Sequence, residues 1–285
     1  MDVTMLRNRL SQTAAERVQV PAVRLFLALA GRSLQRHLTY RAAAVAGLVT
    51  NFFFGLVRIA VLLALYGQRQ EVAGMDVAEV VTYSGLTQAI IAYISLFGWY
   101  GLTDTVYSGE VATDLLKPLN YYTFWLARDA GRAGAALLLR GVTLMVAYGL
   151  ILEMRYPAGA GQWLAVAVAA LLSWLIAFSW YYLINLSAFW TPYARGICRF
   201  GFVLAWLLSG FLMPLRFLPE WLVRLAYLTP FPHLVNTVVE IYLGLLQGPA
   251  LIRALLFQGV WAAILIVAGQ LLLKVAVKRL VILGG

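Results

Sequence analysis

The chain has 285 residues, 62% hydrophobic and only 12% charged, with a mean hydropathy of +0.82. Such a composition excludes a soluble globular domain, because apolar side chains outnumber what one water-facing domain can bury. The net charge of +10 reports membrane topology before it reports nucleic-acid binding, so no nucleic-acid partner is expected, and the single cysteine, Cys198, excludes an intrachain disulfide and reads as a buried structural thiol.

The apolar runs are continuous rather than alternating, which favours spanning helices over a β-barrel. At roughly 30 Å of hydrocarbon and about 20 residues per span, five to seven spans fit. Residues 1–19 carry Arg7, Arg9 and Arg17 against Asp2 and Glu16 and read as a cytosolic, partly disordered tail. Over 20–38, Val23, Phe26, Leu27, Ala30 and Leu34 recur at helical spacing opposite Arg24, Arg32, Gln35 and Arg36, with Pro21 in the first turn. That pattern predicts an interfacial amphipathic helix. Its Ala28-Leu-Ala30 mimics a signal-peptide cleavage site, but the apolar run is too short and Arg24 interrupts it.

The first span is 42–66, carrying Asn51, Gly55 and Arg58. An arginine inside a span costs roughly 2.5 to 3.5 kcal/mol, so Arg58 should face protein or a water-filled cavity, or snorkel toward the Tyr66 end. The second span, 77–103, holds Glu79 near its start and Gln88 near its centre. As an antiparallel neighbour it would let Glu79 pair with Arg58.

The loop 104–125 is the longest break between two apolar runs and the candidate point where force enters. Glu110 and Asp114 are one helical turn apart and share a face, while Val111, Leu115 and Leu116 fall on another. This predicts a short amphipathic helix over Gly109 to Leu116, stopping near Lys117 because Pro118 disfavours helix at the preceding residue. A solvated loop with a few charges is the other reading of these residues. Tyr121, Tyr122, Phe124 and Trp125 then suit the headgroup level and anchor the next helix.

The third span, 131–152, contains Arg140 and Gly131, Gly134 and Gly141; Gly134 and Ala135 lie with Arg132 on the cytosolic turn, where small residues permit close helix contact. The fourth, 162–190, ends on the polar pair Asn185 and Ser187, and the fifth, 196–213, is short and stops at Pro214. Between 214 and 248 the chain is too apolar for a solvated loop, yet Pro214, Pro219, Pro230 and Pro232 break it too often for a span. A helical hairpin that dips back into the outer leaflet fits, with His233 as a structural polar residue. The last span, 251–273, ends in Lys274, Lys278 and Arg279.

With the N-terminus inside, fifteen basic residues fall on the inner side: Arg7, Arg9, Arg17, Arg24, Arg32, Arg36, Arg41, Lys117, Arg128, Arg132, Arg195, Arg199, Lys274, Lys278 and Arg279. Five fall outside: Arg69, Arg155, Arg216, Arg224 and Arg253, with Arg58 and Arg140 left in spans. The bias predicts six spans, both termini cytosolic, the 104–125 loop inside and the proline-broken hairpin outside. No lysine follows a glycine anywhere, so a P-loop is excluded, and no His-Glu-x-x-His or paired-cysteine metal site exists. A secondary transporter or a membrane-embedded enzyme remains open, although the first would show an internal repeat and the second convergent polar groups.

Six spans, an N-terminal amphipathic helix, a charged short helix in the first inner loop and a proline-broken outer hairpin together resemble the permease subunits of type-2 ATP-binding-cassette exporters. Ser108-Gly-Glu-Val-Ala-Thr-Asp-Leu-Leu-Lys-Pro-Leu119 resembles a motif of the viologen-exporter-like or daunorubicin-type subfamily, as do Pro214-Leu-x-Phe-Leu-Pro219, Pro230-Phe231 and Ile241-Tyr-Leu-Gly244. The resemblance implies an all-α integral membrane protein of the bacterial cytoplasmic membrane that exports a hydrophobic or amphipathic substrate: a drug, a lipid or a peptide-like molecule. It implies that Gly109, Glu110, Asp114, Leu115, Leu116, Lys117 and Pro118 form a coupling helix docked on a separate cytosolic ATPase, present in two copies, which holds the ATP and Mg that this chain does not. Residues 20–38 become the elbow helix beside it. A second permease, identical or a paired homologue, is implied as partner along with membrane lipid, and the route lies mostly along spans one, two and five. Asn51, Arg58, Glu79, Gln88, Arg140 and Asn185 are the intramembrane polar groups that line the pathway or pair within it.

Overall fold

The computed structural model describes residues 21–117 and 119–279, so the 1–19 tail and Pro118 lie outside the described residues. Helix α1 (Ala22–Thr39) follows Pro21, whose fixed φ suits a helix start. After Tyr40 comes α2 (Arg41–Tyr66), which ends at Gly67 in a positive-φ conformation. A two-residue β-hairpin, β1 (Glu71–Val72) against β2 (Met75–Asp76), turns the chain at Ala73-Gly74, both with positive φ. Asp76 then caps α3 (Val77–Ile94) in a reciprocal capping box with Glu79. Partial burial pushes the Asp76 carboxyl up, but hydrogen bonds from Arg155 at 2.7 Å and from the Glu79 amide outweigh it and hold the group below the usual carboxylate range.

Two short helices, α4 (Gly101–Tyr107) and α5 (Val111–Leu115), form the next loop. Beyond Asn120, which accepts from the amides of Tyr122 and Thr123 as an N-cap, α6 (Tyr121–Ala136) runs through a π-helical turn, Leu137–Val142, into α7 (Thr143–Ile151). The long α8 (Ala160–Asn185) closes in a 3-10 turn, Leu186–Phe189, and α9 (Ala194–Leu208) follows. The segment after it contains a 3-10 turn (Leu215–Phe217), α10 (Glu220–Tyr227), a second 3-10 turn (Phe231–His233) and α11 (Asn236–Tyr242). The chain then runs out along α12 (Gly248–Ala276).

Five helical stretches among the described residues are long and apolar enough to cross a membrane: Ala42–Tyr66, Val77–Ile94, Tyr121–Ile151, Ala160–Phe189 and Gly248–Arg279. Three expected boundaries are corrected. The second span does not reach 103: α3 stops at Ile94, where Ser95 adopts the left-handed conformation (φ 54°) that few side chains tolerate. The third begins at Tyr121 rather than 131, because the aromatic cluster forms the first helical turns instead of a loop ahead of them. The fifth is only the 15 residues of α9, about 22 Å at the helical rise, and falls short of the hydrocarbon thickness.

The centre of the molecule is α3, fifteen of whose eighteen residues are buried, together with α11, all seven of whose residues are buried. A helix covered on all sides needs apolar or internally satisfied residues around its whole circumference. The polar residues on α3 obey this: Thr82, Ser84 and Thr87 each donate to the carbonyl one turn back, at 2.7, 2.9 and 2.7 Å. Around this centre pack α8, α9 and α6, while α2 and α12 present exposed apolar faces such as Val49, Phe53 and Val57, or Leu256, Val260 and Val267.

Helix α1 is docked and does not merely float at the interface. Its Phe26, Leu29, Ala30, Ser33 and Leu34 turn inward, and it lies on α6 at Gly131. A Cβ on Gly131 would collide with the Ala30 carbonyl and stand 2.6 Å from the Leu34 amide nitrogen and 2.7 Å from the Ser33 Cβ. The Ser33 hydroxyl donates to the Arg128 carbonyl at 2.6 Å across the same contact. Val23 and Leu27, expected on the apolar face with Phe26 and Ala30, are exposed instead. The Gly131→Leu variant should therefore lose about 1–3 kcal/mol through overpacking against backbone. It should melt several degrees lower in detergent, and a cysteine placed at Ser33 should label faster; wild-type melting with unchanged labelling would refute the contact.

Candidate functional site

The 104–125 loop is a fastened object. Gly109 (φ 77°) allows the sharp turn between α4 and α5, a conformation strained for any residue with a Cβ. Val111 is buried in an aromatic cluster with Leu102, Tyr121, Tyr122, Phe124 and Trp125 of the loop and α6, extended by Phe178 and Tyr182 of α8, and Leu115 packs against it. Asp114 is also buried and pairs with Lys117, whose ammonium lies 4.0 Å over the Phe124 ring. On the α9 side, Asp104 pairs with Arg195 at 2.8 Å, and the Tyr107 hydroxyl donates to the Pro192 carbonyl at 2.7 Å while accepting from the Ala194 amide at 3.0 Å. The loop is thus tied to α6, α8 and α9 together.

The expected helix over Gly109 to Leu116 is present but shorter, and its faces differ from the spacing argument. Glu110 stands at the cap and is exposed, whereas Asp114 points inward with Val111 and is neutralised by Lys117, so the two carboxylates do not share a water-facing face. A five-residue helix cannot hold both ends of an i, i+4 pair inside itself when the first residue is its cap. What projects is Leu116, 86% exposed at the tip.

The intramembrane polar residues have a common task. Where α3 stops at Ile94, two guanidinium groups from the helix opposite satisfy its last carbonyls: Arg132 donates to Tyr93 at 2.7 Å and Arg140, from the π-helical turn, to Ala92 at 3.2 Å. Cations at a helix C-terminus also complement the helix dipole. Arg132 in turn pairs with Asp129 at 2.5 Å, and the second Asp129 oxygen accepts from the Trp174 indole at 2.8 Å. Just beyond, Asn185 donates to the Trp99 carbonyl at 2.9 Å and accepts from the Thr103 amide at 3.3 Å and the Thr103 hydroxyl at 2.7 Å.

A second break, after α9, is held the same way. Arg58 donates to the Phe211 carbonyl at 2.6 Å and its guanidinium lies 3.9 Å over the Phe211 ring, which stacks on Trp206 and meets the half-exposed Phe97 edge-on. Tyr83 donates to the Gly210 carbonyl at 2.7 Å, and Asn236 accepts from the Leu215 amide at 3.1 Å. The expected Arg58–Glu79 pair does not form, because Glu79 is committed to the capping box at the N-terminal end of α3, accepting from the Asp76 amide at 2.8 Å. Asn51 contributes its carbonyl, which accepts from the Tyr148 hydroxyl at 3.2 Å. Gln88 is buried against Gly55, with its amide nitrogen unpartnered among the described residues.

The expected hairpin over 214–248 is helical, and its prolines act as starts: Pro214 and Pro219 precede the first 3-10 turn and α10, and Pro230 and Pro232 enter the second 3-10 turn. His233 is buried, bonds to Thr237 at 3.0 Å, and offers its carbonyl to Gln258 of α12 at 3.0 Å. Ser173 and Gln162 of α8 donate to the Leu234 and Tyr242 carbonyls at 2.6 and 2.8 Å, fixing α11 in the core. Glu240 and Asp129, absent from the sequence-based site, prove structural. Glu240 is buried and pairs with Arg216 at 3.0 Å. An acidic residue inside Val-Val-Glu-Ile was the signal that a cation partner had to exist. Among the described residues, no three His, Cys, Asp or Glu side chains are grouped to hold a metal ion.

A family model described as ABC-2 family transporter protein matches residues 52–284. No curated protein matches the chain, and no solved structure does.

Replacing Asn185 by Leu leaves the Trp99 carbonyl and the Thr103 amide without their shared partner, which should cost about 2–6 kcal/mol at roughly 1–3 kcal/mol per orphaned group. Thr103→Val removes only the hydroxyl bond and should cost about 1 kcal/mol. Thermal melting in detergent reads both, and equal losses from the two variants would contradict the assigned cap.

Proposed function

Since the chain belongs to the ABC-2 family of transporter proteins, we propose that it is a permease subunit of an ATP-driven exporter and that the loop from Glu110 to Lys117 docks on a separate cytosolic ATPase. The family makes the chain a membrane transport component and implies an ATPase partner in general. The observation that carries the docking surface is the combination at α5: Leu116, the residue that closes the helix, projects into water while the large apolar residues of the helix, Val111 and Leu115, are held in the aromatic cluster. An exposed leucine on a rigid mount is suited to a partner groove and resists bending when pushed.

The same reading gives the rest of the assembly. Two ATPases would bind and hydrolyse ATP with Mg, and two permeases, identical or paired, would face each other with the route along α2, α3 and α9. The chain from Ala194, beside Tyr107, to Arg216, beside Ala73, runs from the level of the coupling loop to that of the outer β-hairpin, which supports counting α9 and its continuation as a sixth crossing. Both termini then lie in the cytosol of a bacterial inner membrane. A hydrophobic or amphipathic cargo is supported by an apolar cleft of about 370 Å³ that opens between α3, the π-helical turn, α8 and α11, with Ile90, Tyr93, Met145, Trp163 and Tyr242 in its walls.

The test is co-purification with a P-loop ATPase subunit co-expressed with this chain. Leu116→Asp should cut the recovered ATPase, and the permease-dependent ATP hydrolysis, at least tenfold while membrane insertion stays at the wild-type level. Full recovery of ATPase by that variant, together with an unchanged rate, would remove α5 as the docking element.

A further inference from the structure

A cleft lies beside the loop from Glu110 to Lys117, with Lys117 in its lining. It has a volume of about 580 Å³ and is walled by α1 on one side and α6 on the other. Its charges do not cancel. Lys117 is paired with Asp114 and Arg132 with both oxygens of Asp129, one of which also accepts from Trp174. Arg32, Arg36 and Arg128 line the same cleft with no acidic partner within ion-pair distance among the described residues. The Ser33 bond to the Arg128 carbonyl and the close approach at Gly131 fix the two walls, so these three guanidinium groups are held around one space. The Arg128 guanidinium is further positioned 4.6 Å from the centre of the Trp125 ring.

A positive-inside bias by itself distributes basic residues over every inner loop. Three arginines bordering one cleft repel one another, and an anion between them removes that repulsion. Guanidinium forks match phosphate oxygens in pairs, which makes phosphate the fitting anion. The rest of the lining says where the phosphate comes from. Trp99, Trp125 and Tyr40 are the side chains of the headgroup level. The cleft continues through Tyr40 and Arg132 into a second groove of about 240 Å³ with walls of Ala43, Ala44, Ala136 and Leu139, running along α2 toward Arg140. Past that point α2 shows the exposed Val45 and Val49. A basic, aromatic pocket that grades into an apolar groove beside a span has the polarity profile of an inner-leaflet lipid.

From this arrangement we infer that the α1–α6 cleft is a binding site for the phosphate headgroup of an anionic membrane lipid, with Arg32, Arg36 and Arg128 as its ligands and the Ala43–Leu139 groove receiving an acyl chain. The site belongs to this chain alone and does not require the ATPase. It makes the seating of α1 on α6 responsive to the lipid composition of the membrane, since the headgroup bridges the two helices.

The full-length chain in phosphatidylcholine nanodiscs tests this by native mass spectrometry with four probes: dioctanoyl phosphatidylglycerol, dioctanoyl phosphatidylcholine, glycerol-3-phosphate and inorganic phosphate. Phosphatidylglycerol should bind, the zwitterionic lipid and the two soluble phosphates should not at the same concentration, and Arg32→Gln/Arg36→Gln should weaken binding about thirtyfold, from roughly 1 kcal/mol per surface cation. Both residues are exposed on α1, so the double variant should melt like wild type, and Arg128→Gln gives an independent second reading. Arg253→Gln, on α12 and away from the cleft, should change nothing. Inorganic phosphate binding as well as the lipid, or equal weakening by Arg253→Gln, would overturn the inference. So would a double variant that keeps its lipid affinity but loses the ATPase, which would assign the cleft to that partner.

Discussion

Inside a bilayer every backbone amide and carbonyl must find its partner within the protein, and this chain breaks its helices twice alongside its spanning helices. The first break frees the last carbonyls of α3 and the segment from Ser95 to Tyr100, and the second frees the segment from Ser209 to Pro214. Each free group costs on the order of several kcal/mol in hydrocarbon. Arg132, Arg140 and Asn185 answer the first break, and Arg58, Tyr83 and Asn236 answer the second. The burial of α3 and α11 at the centre follows, because the caps come from helices that must lie against those breaks.

The same bonds join the loop proposed to dock on the ATPase to the helices of the core. Asn185 sits at the end of α8 and holds both the Trp99 carbonyl and the start of α4, while Asp104 and Tyr107 hold the start of α9, whose far end is the second break. A push on α5 therefore acts on α4, α6, α8 and α9 through hydrogen bonds and packed rings rather than through a flexible linker.

Much of this was legible in the residues. Hydropathy located the five long spans apart from some of their ends, Pro21 and the Arg24 to Arg36 pattern located α1, and the small residues Gly134 and Ala135 announced a close helix contact that the structure places one turn earlier, at Gly131. The 95–100 break was hidden because Leu-Phe-Gly-Trp-Tyr is apolar throughout, and hydropathy averages over a turn made of large side chains. Residue spacing gave Glu110 and Asp114 a common face only on the assumption of a longer helix, and it paired Glu79 with Arg58 only by ignoring the capping box that Asp76 offers three residues earlier. Arg58, Arg140 and Asn185 were recognisable as residues needing partners, but the partners are backbone carbonyls and amides, which have no letter in a sequence.

Backbone hydrogen exchange of the permease with its ATPase, before and after ATP binding, tests the mechanical link most directly. If the coupling loop and the break are one body, exchange in 96–100 changes together with that in 111–117. A change confined to 111–117, with 96–100 exchanging at the same rate in both states, would contradict the link from α5 through Asn185 to the membrane interior.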